Sequence, residues 1–580
     1  MPRRAPSPAL IRVPPLARLH ALRHRYGGAE ARTKLSLMAH LERHPPRSAR
    51  GLAGYHDDLL FLKAFPDDAV VHAAASAALA RTESRVRALA ATQRRWLDDT
   101  GMAGTTTHHA FAFGMAQWMV DRHEDADIEW NAFDVPERLD PLLRLTLTQA
   151  EADAFDSGEF STREWMAMAR GGTRSGALGW LVRTPEPNAR PVAGTPDAAV
   201  ARLMYDALEL PVRWRLSRAR STTGNAIAEV AAHPRTAMRS LPDDPVAHIA
   251  TPLPAITLLS SSRACAWLDA ARAALGARCR EVHAITYANP AEVYLADLGE
   301  GTSLCLIGAA RDDRLTLEAN YGYVLFANGV PVGYGGVTPL AAQANTGVNI
   351  FDAFRHAEAP MLFAQALRAF RTLFGMTRFI VNPYQFGAGN DEALASGAFW
   401  FYDRLGFRPV DAGVRALAAR ERARRAASRT YRSGPGTLRR LAAGDLVLDL
   451  PGAARTPLFE ERWLVTLARA VTEALAVPVA AARLERRDAG IEAVARALGV
   501  KRWRAARGET RFGMERLAPV IALVLDDLLR WPSRERRALV QLLEAKGAMQ
   551  ERGYAVASRE HRRLWTALRH HCRMLDRSAL

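Results

Sequence analysis

The stretch Thr377 to Pro409, TRFIVNPYQFGAGNDEALASGAFWFYDRLGFRP, constrains the fold of this chain more than any other. Arg378 to Val381 is a short β-type run. A connection punctuated by proline and glycine then leads into a helix whose apolar positions Leu394, Ala398, Phe401, Tyr402 and Leu405 recur at three- and four-residue steps. Gly406 stops that helix as a C′ glycine does, and Phe407 begins another extended piece. A strand feeding an amphipathic helix that returns to a strand implies an α/β arrangement, with Tyr402 one turn above the helix end and aimed beside the strand.

The residues before this stretch continue the alternation. Ser262 to Leu275 reads as an amphipathic helix ending at Gly276, followed by β-type runs at Val282 to Tyr287, Val293 to Leu298 and Leu304 to Ile307. Tyr321 to Phe326 and Val330 to Val337 flank Ala327-Asn328-Gly329, and Asn-Gly between two such runs is a strong hairpin signal. Gly347 to Phe354 reads as a further strand. Ala359 to Phe374 is a helix with Leu362, Phe363, Ala366, Leu367 and Phe370 on one side and Gly375 as its cap.

At 580 residues, 49% apolar and 24% charged, the chain exceeds one ordinary core. Breaks at Gly101 to Thr107, Thr184 to Pro196, Leu241 to Pro254 and 451–457 divide it. The expected units are a helical N-terminal region (1–183), a linker with a helical segment (184–254), a central mixed-sheet domain (255–450) and a helical C-terminal region (451–580). The expected class is therefore α/β (α+β), a central sheet domain between largely helical flanks. No stretch approaches eighteen consecutive apolar residues, and the basic N-terminus lacks a continuous apolar segment, so neither a membrane span nor a secretion signal is expected and the expected location is cytoplasmic.

The net charge of +17 raises nucleic acid as a partner. Lysine occurs only at Lys34, Lys63, Lys501 and Lys546, however, and abundant arginine and alanine match the codon bias of a GC-rich, bacterial-type genome filling solvated positions. Ile491 to Trp503 has the outline of the first half of a helix-turn-helix, with a helix start after Gly499 that carries Lys501, Arg502 and Arg504, although Gly499 also reads as a simple helix cap. Cys265, Cys279, Cys305 and Cys572 are isolated, which argues against a zinc site and a disulfide framework; Cys305 reads as a buried small hydrophobe. His123, Glu124, Asp125 and Asp127 match no metal-ligand spacing and read as an exposed acidic turn, so no metal is expected.

Tyr402-Asp403-Arg404-Leu405-Gly406-Phe407 resembles the tyrosine-x-x-leucine-glycine-phenylalanine signature of the GNAT superfamily of acyl-CoA-dependent N-acyltransferases. Asn328, Gly329, Val332 and Gly333 resemble the same family's hairpin, and the element order from about residue 262 to 409 follows its core. The resemblance implies transfer of an acyl group, most simply acetyl, from acyl-CoA as co-substrate to a small-molecule or protein amine. It implies that Tyr402 protonates the departing thiolate. The base for the amine is less determined: Asp352 is the first choice, with Glu318 and Glu358 as alternatives. It further implies a cofactor-binding set of Phe354, Arg355, His356, Ala357 and Asn382, with Tyr384 and Gln385 within reach of substrate or pantetheine. Arg355 fits the family's pyrophosphate turn; Glu358 and Pro360 do not. Glycine there lets backbone approach the phosphates, whereas Glu358 adds bulk and negative charge, so either Glu358 turns to solvent while Arg355 and His356 face the anion, or CoA binds weakly or not at all. Two other readings stay open: an aminoacyl-tRNA or acyl carrier protein as donor, and a GNAT-like domain that binds or regulates without catalysis.

Overall fold

The computed structural model describes residues 14–578 apart from 124, 172–175, 184–196, 356, 454–456 and 506–507. His356, Glu124, the interruption Thr184 to Pro196 and part of the 451–457 linker therefore lie outside the described residues. The fold is a mixed α/β architecture with twelve strands among the described residues. Strands β1 (Thr106–Ala110), β2 (Ala126–Ile128) and β3 (Pro211–Arg215) form a small antiparallel sheet inside the N-terminal half. The reading of 184–254 as a linker with a helical segment misses β3, whose Val212 and Trp214 alternate inward over only five residues.

The main sheet contains β4 (Ile256–Leu258), β5 (Ala288–Gly299), β6 (Thr302–Ala309), β7 (Tyr321–Ala327), β8 (Val330–Leu340), β9 (Gln343–Ile350), β10 (Arg378–Val381), β11 (Arg408–Pro409) and β12 (Leu446–Asp449). Their order is β11-β12-β10-β9-β8-β7-β6-β5-β4, and β9 with β10 is the one parallel pair among the described residues. The hairpin turns at Asn328 and Gly329, both with positive φ (47° and 75°), as a tight Asn-Gly connection requires. The β-type run at Val282 to Tyr287 is instead a single helical turn, His283–Thr286, and β5 begins at Ala288. Short apolar runs of that length do not distinguish a strand from a buried helical turn.

Helices cover both faces of the sheet. On β7, Tyr321 and Tyr323 pack on Phe374 and Phe370 of the helix Ala359–Phe374, while Phe326 meets Trp267 of the helix Ser261–Gly276. Opposite parity along a strand means opposite faces. The stripe expected for the first of these helices, Leu362, Phe363, Ala366, Leu367 and Phe370, is fully buried. A single apolar core runs from Leu19 through the sheet to Cys572 and so takes in helices of both flanking regions; a second core spans Phe111 to Leu216 and reaches Ala273 and Ala277.

Buried charge fastens both flanks. On the N-terminal side, Glu358, 0% exposed, lies 3.2 Å from Arg235 and 2.8 Å from Arg239. On the C-terminal side, Lys546 reaches Glu551 at 2.5 Å, and the amides of Glu551 and Arg552 donate to Glu292 on β5 at 2.8 and 2.9 Å. Among the described residues no helix is long and apolar enough to cross a membrane.

Candidate functional site

Parallel strands β9 and β10 are paired only at Ala344 with Phe379 and Asn345 with Ile380. Past that point β10 ends at Val381, and the chain turns through the 3-10 segment Pro383–Phe386, leaving the edge of β9 from Thr346 to Ile350 without a strand beside it. The edge is half-open: Val348 is half-buried and Asn349 exposed. Gln385 reaches into the opening, where a Cβ added to Gly347 would come within 2.7 Å of its side chain. The Gly347 carbonyl accepts a hydrogen bond from the Tyr323 hydroxyl at 2.6 Å.

The opening forms part of a cavity of about 1320 Å³ whose lining includes Val348, Asp352, Ala359, Gln385 and Tyr402. Gly397 (φ 67°) breaks the expected single helix into Asp391–Ser396 and Phe399–Arg404, and Gly406 (φ 100°) ends the second. That turn places Tyr402 among Phe363, Phe386 and Phe407, with ring centroids 5.8–6.2 Å away. Burial pushes the Tyr402 phenol well above its ordinary value, countered in part by the Val348 backbone N–H. The same direction holds for Tyr321, Tyr323 and Tyr554, so the shift alone does not distinguish Tyr402. Position does: Tyr402 lines the cavity beside the unpaired strand edge, and a phenol held protonated there can give up a proton.

No family model, curated protein or solved structure matches this chain.

The cavity brings together some of the residues expected at the site and not others. Asp352 and Arg355 both line it with Tyr402. The strand expected at Gly347 to Phe354 ends at Ile350, however, so Asp352 sits in the 3-10 turn Asp352–Phe354, 80% exposed and 2.6 Å from Arg355. Arg355 also binds Glu392. Phe354 does not reach the cavity; it is fully buried against Phe65 of the N-terminal helices at 6.3 Å. Ala357 spends its N–H on the Phe354 carbonyl at 3.0 Å. Asn382 accepts from the Tyr384 amide and donates to Glu461, which makes it a local cap and a tie to the C-terminal region.

The two alternative bases lie elsewhere. Glu358 faces neither solvent nor the anion site, because the two arginines draw its carboxylate inward. Its charge is thereby matched away from the cavity, while Ala359, the first residue of the following helix, lines the cavity wall with no side-chain cap on that helix end. An uncapped helix N-terminus favours an anion. Glu318 has its carboxyl raised by burial, with Thr338 opposing, and it is not in the cavity wall.

His56 and Asp57, from the helix Ala49–Ala64, also line the cavity and went unnoticed in the sequence. His56 is 3% exposed and its Nε2 lies 3.0 Å from the Thr223 hydroxyl, 167 residues away. No local spacing signals such a contact. Among the described residues no group of three or more His, Cys, Asp or Glu side chains could hold a metal ion. The His123 ring stacks on Trp214, and Asp125 pairs with Arg220. Burial raises the Cys305 thiol, which suits a core residue. Gly499 is a left-handed cap, Lys501 and Arg502 lie in the turn after it, and Arg504, in the 3-10 segment Trp503–Ala505, pairs with Asp488 and Glu492.

Proposed function

We propose that this chain is a GNAT-type N-acyltransferase that moves an acyl group, most simply acetyl, from acyl-CoA to an amine. The supporting observation is the parallel pair that parts after Asn345 and Ile380, with Tyr402 at the opening. In this reading the thioester's thin arm lies along the free edge of β9 and its phosphates lie toward the helix N-terminus at Ala359. The amine attacks the thioester carbonyl, the C–S bond breaks, and Tyr402 gives its proton to the departing thiolate. The amine's proton leaves through a lining carboxylate, for which we assign Asp352.

A second donor class, an aminoacyl-tRNA or acyl carrier protein, is favoured by one observation. Arg355 and the Ala357 amide are already engaged, which leaves the turn few free donors for a pyrophosphate.

Thermal shift across a panel of CoA thioesters tests binding, since a ligand of the folded form raises the melting point by mass action. Thiol release in the presence of amines tests transfer. Tyr402→Phe keeps the ring and removes the proton, so kcat is expected to fall by roughly 10²–10⁴ with the melting point unchanged. Absence of any saturable shift with acetyl-CoA would defeat the CoA reading. Transfer unaffected by Tyr402→Phe would remove the assigned acid.

A further inference from the structure

Beyond Tyr402 the cavity wall includes the end of the helix Phe399–Arg404, the last turns of the helix Ala412–Ala427 and the loop before the helix Pro435–Leu441. The carboxylates of this corner are committed. Asp403 accepts from Arg408 at 3.3 Å and from Arg422 at 3.1 Å. Glu421 is held by Ser433 at 2.7 Å, Tyr431 at 2.9 Å and Arg424 at 3.0 Å. Across the cavity, Glu392 and Asp352 share Arg355.

In this corner three guanidinium groups remain, apart from Arg278 and Arg280 elsewhere on the lining. Arg404, Arg425 and Arg432 all line the cavity, and among the described residues none of them forms an ion pair with a carboxylate. Arg425 lies 4.6 Å over the ring of Trp400, which fixes its plane and leaves its N–H edge free. Trp400 is 6% exposed and, among the described residues, its indole N–H has no hydrogen-bond partner. Arg404 spends only Nε, on the Trp400 carbonyl at 3.3 Å, and Arg432 spends only Nη1, on the carbonyls of Arg429 and Tyr431. Burial first, and then repulsion from Arg432 and Arg404, holds Arg425 below its ordinary value. Like charges gathered in this way favour a multiply charged anion between them.

We propose that Arg404, Arg425 and Arg432 bind a phosphate group of the ligand that occupies the cavity. A phosphate, with up to two negative charges and three acceptor oxygens, suits three free forks better than a single carboxylate does. The proposal rests on the reading of the cavity as a donor site and gives the donor a second phosphate contact at this corner, apart from the helix N-terminus at Ala359.

Titration calorimetry at fixed ionic strength, with inorganic pyrophosphate and with adenosine 3′,5′-bisphosphate, is the test. The wild-type chain is expected to bind at least one of them, and the triple variant R404A/R425A/R432A to bind it at least tenfold more weakly. Arg530→Ala, on a distant exposed arginine, should change affinity less than twofold, and single variants at Arg404 and Arg432, both exposed, guard against misfolding of the triple. Binding of bisphosphate without pyrophosphate marks a nucleotide end; binding of both marks phosphate alone, and either outcome supports the site. No binding by the wild-type chain, or equal binding by the triple variant, overturns it. Phosphate binding that depends on these arginines, in a chain that transfers no acyl group, would sink the transferase reading and keep the site. Acyl transfer with an unchanged KM for acyl-CoA in the triple variant would do the reverse.

Discussion

Arginine gathers in two corners of this molecule, and the two are built to opposite rules. At Glu358, Arg235 is 1% exposed, and Arg239 sends Nε to the carboxylate, Nη1 to the Leu298 carbonyl and Nη2 to the Thr302 hydroxyl. Every charge there has a partner, because an unmatched ion out of water costs several kcal/mol. At Trp400, the three arginines are open or half-open to the cavity and, among the described residues, pair with no carboxylate. Water tolerates their charge, so they are free to meet a ligand. The difference teaches that arginine content alone says little about partners: burial with a match marks a fastening, and exposure without one marks a binding surface. His123 supplies a third case. Its ring is stacked on Trp214 at 5.1 Å, and burial keeps it uncharged there.

The comparison breaks most visibly at Glu358. Glu358→Ala strands two guanidinium groups beside Phe65 and the β5–β6 turn, and is expected to cost about 3–5 kcal/mol, read as a fall in the urea midpoint. A loss under 1 kcal/mol would mean that Glu300, which also binds Arg235, or water takes over the pairing.

Acid should act next most strongly, through His123. Burial first, with help from the charge of Arg220, lowers its imidazole to about 4. Between that value and the ordinary 6.5 the unfolded chain takes up a proton that the folded chain refuses, so this contribution is intact above about pH 6.5 and is lost as pH falls toward 4. Because the ring is partly exposed, the loss is on the order of 2 kcal/mol or less. His123→Phe should flatten the slope of stability against pH in that window, and an unchanged slope would place the titrating group elsewhere.

The smallest effect is expected at the open corner. Arg404→Ala or Arg432→Ala should shift stability by no more than about 0.5 kcal/mol, as surface substitutions do. A loss several times larger would show that these arginines hold the corner together.

Much of the fold was legible in the residues. Asn328-Gly329 announces its hairpin because few other pairs accept two consecutive positive φ values, and Gly406 announces a helix end for the same reason. The helix Ala359–Phe374 shows its buried face through spacing alone. Val282 to Tyr287 misled because a six-residue run rich in apolar and β-branched residues suits either a strand or a helical turn, and packing of Ala284 and Ile285 into the core selected the turn.

The site was less legible. Tyr402 stood out by its place in a hexapeptide, but Phe354, Ala357 and Asn382 were assigned by position along the chain, and position along the chain does not give direction in space. Phe354 points into the core, and Asn382 caps a turn.

By itself, the sequence determined what depends on neighbours within a turn or two: the hairpin, the glycine stops, the amphipathic faces and the order of elements through the central segment. Only the tertiary structure decided where β9 and β10 part, that Glu358 turns inward to two arginines more than a hundred residues away, and that Arg404, Arg425 and Arg432 share one wall. The reason is physical. Backbone preference and periodicity act over a few residues, whereas the pairing of a buried charge and the lining of a cavity depend on which distant segments the core brings together.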